Sequence, residues 1–83
     1  MKVERLISIF NRQTEELVEE INVDYIPLDT LKVIFGPRED DPLMLDPYQI
    51  DEKTMNTLSR YLKSRIEFDF KKFIYQLDCF DAS

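Results

Sequence analysis

Apolar residues recur along this chain with two different periods, and the order of those periods limits what it can fold into. Residues 2–10, KVERLISIF, alternate with period two: Val3, Arg5, Ile7 and Ile9 share one face, and Glu4, Leu6, Ser8 and Phe10 the other. β-Branched residues are frequent in that run, as strands prefer. Asn11 to Thr14 then reads as a turn, with Asn11 able to take left-handed backbone. Residues 15–23, EELVEEINV, read as the returning strand of a hairpin, with Leu17, Ile21 and Val23 on one face. Their glutamate pairs also suit a short helix, and the β-branched flanks argue for the strand.

The period changes at Pro27. Leu28, Leu31, Ile34 and Phe35 fall on one helical face, Asp29 lies in the first turn, and Gly36-Pro37 is a stop. Residues 38–50 read as an irregular loop punctuated by Pro42 and Pro47. Asp51 caps a second helix over about 52–64, whose apolar stripe is Met55, Leu58, Tyr61 and Leu62. Arg60, Lys63 and Arg65 lie near its C-terminal end, where cations are favoured. Residues 66–80 read as a final long strand, with Phe73, Tyr75, Leu77 and Cys79 on one face and a bulge or bend at Lys71-Lys72. The expected architecture is α+β, a single domain over 1–83. It is a three-stranded antiparallel sheet with two helices packed on one face, in the order ββααβ.

Composition removes most chemistry. The 83 residues include no histidine, one cysteine and one glycine. The commonest general base is therefore missing, as are His- and Cys-built zinc sites and glycine-rich phosphate loops. Carboxylate pairs such as Asp40/Asp41 or Glu15/Glu16 leave acid–base catalysis formally open. Exposed acids lack the burial that moves a pKa toward neutrality, so no enzyme is expected. Glu39, Asp40, Asp41 and Asp46 offer oxygens to calcium, but the spacing and central glycine of a calcium loop are absent. No metal or other cofactor is expected. Cys79 sits on an apolar face and reads as a structural thiol. The opening MKVERLISIF is too charged and too short for an export signal or a span, so the expectation is a cytoplasmic protein.

Charge is what remains. The net charge is −6, which disfavours nucleic acid and anionic membrane and favours a basic protein. Residues 13–52 hold twelve acids against Lys32 and Arg38, whereas 53–72 are net basic. Solvated acids are common, and one reading of the segment is no more than that. The other is a binding surface: Glu16 and Glu20 on the second strand, then Glu39, Asp40, Asp41 and Asp46 around Met44 and Tyr48. Leu43, Leu45 and Tyr48 have the alternative of folding back onto the core.

The run FGPREDDPLMLDPYQI, residues 35–50, resembles a pattern in small bacterial proteins: a helix ending in Phe-Gly, an acidic stretch, Asp-Pro-Met, then an Asp-x-Tyr-x-Ile strand. The hairpin ISIFNRQTEELVEEI and the tail FDFKKFIYQLDCF are similar as well, so the likeness spans nearly the whole chain. This sequence departs by placing Leu43 and Leu45 around Met44, and Thr-Glu at the hairpin where a glycine often stands. Some such proteins resemble immunity proteins encoded beside polymorphic or contact-dependent inhibition toxins. The resemblance implies a protein that binds and neutralises a cognate toxin, a basic nuclease domain being the partner an acidic surface suits. The charge already argues against nucleic acid and membrane, and a core this small leaves no room for a deep small-molecule pocket. A regulatory or adaptor module, using the final strand as an edge for strand addition, is the rival.

Overall fold

A computed structural model describes residues 2–82. Four strands and two helices follow in the order β1 (Val3–Asn11), β2 (Leu17–Asn22), α1 (Leu28–Phe35), β3 (Tyr48–Ile50), α2 (Glu52–Leu58) and β4 (Phe73–Asp81). The architecture is α+β with an antiparallel sheet, but the sheet has four strands, ordered β2-β1-β4-β3. The expected final strand is thus a central one, paired to β1 and β3, and offers no free edge. The strand missed from the loop, β3, lies where the resembling pattern has its Asp-x-Tyr-x-Ile strand. Three residues are too few to show a period, and Pro47 just before them reads as loop. Proline is tolerated there because β3 is an edge.

The β1 alternation holds. Ile7 and Ile9 are buried and face Leu77 and Tyr75 across the β1–β4 ladder. With Val23, Ile26, Leu31, Met44, Ile50, Met55 and Leu58 they make the core between sheet and helices. Full burial of one such side chain contributes about 1.5–3 kcal/mol.

The hairpin turn works differently from expectation. Asn11 accepts the Gln13 and Thr14 amides on its side chain, at 2.8 and 3.0 Å. The left-handed residue is Glu15, with φ 63°. β2 therefore begins only at Leu17. A register shift between Ile9 and Phe10 leaves Val18 without a partner and sets Leu17 opposite Phe10. Leu17 is thereby turned off the face it was expected to share with Ile21, and it is exposed.

α1 follows its pattern: Leu31 is buried, and Gly36 closes the helix in left-handed conformation at φ 58°, its amide donating to the Lys32 carbonyl. α2 is capped as expected, with the Asp51 carboxylate accepting the Thr54 amide at 2.7 Å. It ends at Leu58 rather than near 64. The Ser59 hydroxyl donates to the Asn56 carbonyl, and the chain tightens into a 3-10 turn over Ser59–Tyr61. That tightening takes Tyr61 off the apolar stripe into solvent.

Residues 66–72 are not strand. Asp69 caps a turn, its carboxylate accepting the Lys71 and Lys72 amides. Phe68 and Phe70 instead pack on Tyr75, ring centroids 5.6 and 4.9 Å apart. The alternation that suggested a strand there is an aromatic cluster.

Candidate functional site

The eight acidic and apolar positions expected to form one binding surface are not brought together. Glu16 lies in the hairpin turn and Glu20 on β2, while Glu39 to Tyr48 lie beside β3 at the opposite edge of the sheet. Three strand spacings, roughly 14 Å, separate the two edges. The loop also folds over the helix-covered side, held there by Arg5, whose guanidinium donates to the Leu43 carbonyl at 2.7 Å. Glu20 alternates with the inward Ile21 and so points to the other side of the sheet.

Within the loop, three of the expected contact residues are committed to the fold. The Asp41 side chain accepts the Leu45 amide at 2.8 Å, the Asp46 amide at 3.1 Å and the Tyr48 hydroxyl at 2.6 Å. Only 7 % of Asp41 is exposed. The Tyr48 hydroxyl, then the two amides, hold its carboxyl below the ordinary value, and the same bond pushes Tyr48 up. Met44 is 1 % exposed, with left-handed backbone at φ 52°. It is a core residue. Its apolar neighbours Leu43 and Leu45 are the exposed ones. Arg38 pairs with both Asp40 and Asp46, so the loop's one cation is taken up within the loop and its charge stays negative. Asp40 and Glu39 remain at the surface.

Cys79 is half-buried, and burial pushes its thiol up, as suits an unreactive group. Among the described residues no group of three or more His, Cys, Asp or Glu is gathered as metal ligands. No helix among them is long and apolar enough to cross a membrane.

Sequence reasoning missed the surface opposite the helices. The core cluster takes the odd-numbered residues of β1 and β4. The even-numbered residues face away from it: Leu6, Ser8 and Phe10 on β1, and Ile74, Gln76, Asp78 and Phe80 on β4. Phe10 is paired to Ile74 on one side and to Leu17 on the other. Leu17 and Phe80 are each 49 % exposed. Neither helix covers this face. Its paired strand residues include the carboxylates Glu4, Glu20 and Asp78 and no Lys or Arg. Lys2 stands one residue before β1, and Arg12, one residue after it, is held by the Phe70 and Phe73 carbonyls. A sheet face that served only to meet water would be polar throughout. The signal was present in the alternation of both strands, where the even positions mix Leu6 and Phe10 with Glu4 and Ser8 on β1, and Ile74 and Phe80 with Gln76 and Asp78 on β4.

The free edge of β2 forms the second feature. The segment 64–67 passes beside it, leaving a cleft of about 590 Å³ lined by Glu19, Glu20, Ile21 and Asn22 on one wall and Ser64 to Glu67 on the other. The Tyr25 hydroxyl accepts the Lys63 amide at 2.9 Å, and the Lys63 ammonium lies 4.4 Å from the Tyr25 ring centroid. These contacts pin the outer wall.

No curated protein matches the chain. One family model does, over residues 4–78, which take in β2, β3 and both helices whole and all of β1 and β4 but Val3 and Cys79 to Asp81. The protein belongs to the family described as a domain of unknown function, DUF7683.

Proposed function

We propose that the protein works by binding a basic protein, and that this partner is a cognate toxin, of nuclease type, which it neutralises as an immunity protein. The observation that carries the binding reading is the helix-free face of the sheet. It sets apolar side chains at both ends, Phe10, Leu17 and Ile74 at one and Leu6 and Phe80 at the other, on either side of the polar row Glu20, Ser8 and Gln76, with three carboxylates and no Lys or Arg among the paired residues that point to this face. Apolar anchors supply affinity, and surrounding charge of one sign selects a partner of the other and speeds encounter. The toxin identity is supported by the sequence resemblance. On this reading the protein acts in the cytoplasm and performs no chemistry of its own.

The test is co-expression with the product of the neighbouring gene. That product should arrest growth when expressed alone, and wild-type protein should relieve the arrest and co-purify with it. The double variant Leu17→Lys, Phe80→Lys alters two exposed side chains, so it should fold normally yet fail to protect. A harmless neighbour, or full protection by the double variant, would refute the proposal.

The free β2 edge favours a second reading, a regulatory or adaptor module for extended peptides. Recovery of a housekeeping enzyme in a pull-down, with no toxin gene nearby, would support it.

A further inference from the structure

From the β2 edge and its cleft we infer a strand-addition site for an extended basic segment of a partner protein. The Val23 amide donates to the Arg5 carbonyl at 2.9 Å. In an antiparallel ladder, paired and unpaired positions alternate. Ile21 and Glu19 therefore turn their backbone groups toward β1, as Val23 does, while Glu20 and Asn22 turn theirs outward. Among the described residues no hydrogen bond joins the 64–67 segment to this edge, and the sheet ends at β2. The outward amides and carbonyls are a template for one more strand.

The cleft sets the chemistry of that strand. Side chains pointing to the helix side would meet Ile21 and Ile66, which calls for aliphatic residues. Those pointing to the other side would meet Glu20. Glu19, Glu20 and Glu67 outnumber the single cation Arg65 on the cleft walls, which favours a basic segment, and Lys or Arg fits best at the alternate residues that meet Glu20. A second copy of the chain is a poor occupant, because it would set this glutamate-rich edge against itself. The Val18 irregularity limits the regular edge to 19–22, so the added strand is short.

The inference goes beyond the toxin reading, since it holds whatever protein carries the segment. Its test uses synthetic peptides, so that its failure leaves the open-face proposal standing. Isotope-labelled full-length protein is titrated with a short peptide of alternating Val and Lys, and separately with its Val–Glu counterpart, while amide exchange is followed. The Val–Lys peptide should slow exchange of the Glu20 and Asn22 amides by about tenfold and leave the already paired Ile21 amide little changed. Binding should weaken in salt, and Glu20→Lys should weaken it by about tenfold. Glu20→Pro removes one outward amide at a position where an edge tolerates proline, and should abolish binding. Should that variant unfold, Glu20→Lys still decides the matter. Equal binding of the Val–Glu peptide, unprotected Glu20 and Asn22 amides, or dimers formed through β2 would each overturn the inference.

Discussion

The Tyr48 hydroxyl donates to the Asp41 carboxylate at 2.6 Å, joining the first residue of β3 to the loop that leads into it. The same carboxylate holds two amides of that loop, so one side chain fixes the path from Pro42 to Tyr48. Acids that look alike in the sequence thus have unlike roles. Asp41→Lys should lower the melting temperature markedly, because it destroys the network and buries a cation. Asp40→Lys, at an exposed position, should leave it nearly unchanged. Thermal melts of the two variants check this; equal melting points would mean that Asp41 does not organise the loop.

The pair also predicts a pH dependence. The folded Asp41 carboxyl lies below its ordinary 3.8, chiefly through the Tyr48 bond, so the unfolded chain takes up a proton first as acid is added. Its contribution is present above pH 3.8 and is lost as pH falls through the folded value. Asp24 and Asp51 are lowered too, by the Arg5 and Thr54 amides respectively, and act in the same direction. Tyr48 lies above its ordinary 10.0 because its proton is held by Asp41, so its contribution is intact below that pH and lost as pH rises through the folded value. The half-buried Cys79 thiol, raised from its ordinary 9.0, acts in the same direction as Tyr48. Denaturation midpoints across pH should show both limbs, and Tyr48→Phe should weaken both, leaving the Cys79 share of the alkaline one.

Glu15 occupies left-handed backbone, where a side chain is strained and glycine is not. Glu15→Gly should stabilise the protein by about 1 kcal/mol, the strain relief exceeding the entropy glycine adds to the unfolded chain. Urea denaturation measures the difference. A loss of stability would mean that the Glu15 side chain contributes more than its backbone costs.

Leu58 and Met44 are buried in the same core from different elements, one at the end of α2 and one in the loop. Leu58→Ala and Met44→Ala should each destabilise by roughly 2–5 kcal/mol. For Met44 the outcome separates two roles, since a surface contact residue would change binding and spare the melting temperature.

Much of the fold was legible because β1 and β4 are long enough for their period to show, and because Gly36 and Asp51 mark helix ends by mechanisms that need no tertiary context. The errors have local causes. Phe68 and Phe70 mimic a strand because their spacing suits stacking on Tyr75. The tight turn at Ser59 shortened α2. Leu17 was misplaced by the Val18 irregularity, which no periodicity reveals. The site was less legible than the fold. Counting acids along 13–52 located charge in the chain but not in space: Glu20 sits on the edge strand β2, whereas Asp40 lies in the loop that leads into the other edge strand, β3. The helix-free face could have been read from the even positions of β1 and β4 only once it was known that both helices pack on the odd ones.

The central claim is that the partner sits on that helix-free face. Mapping amide shifts of the labelled protein on addition of the co-purified partner tests it most directly. Perturbations should centre on Leu6, Phe10, Leu17, Ile74 and Phe80. A map confined to the 38–47 loop and the two helices would contradict the account.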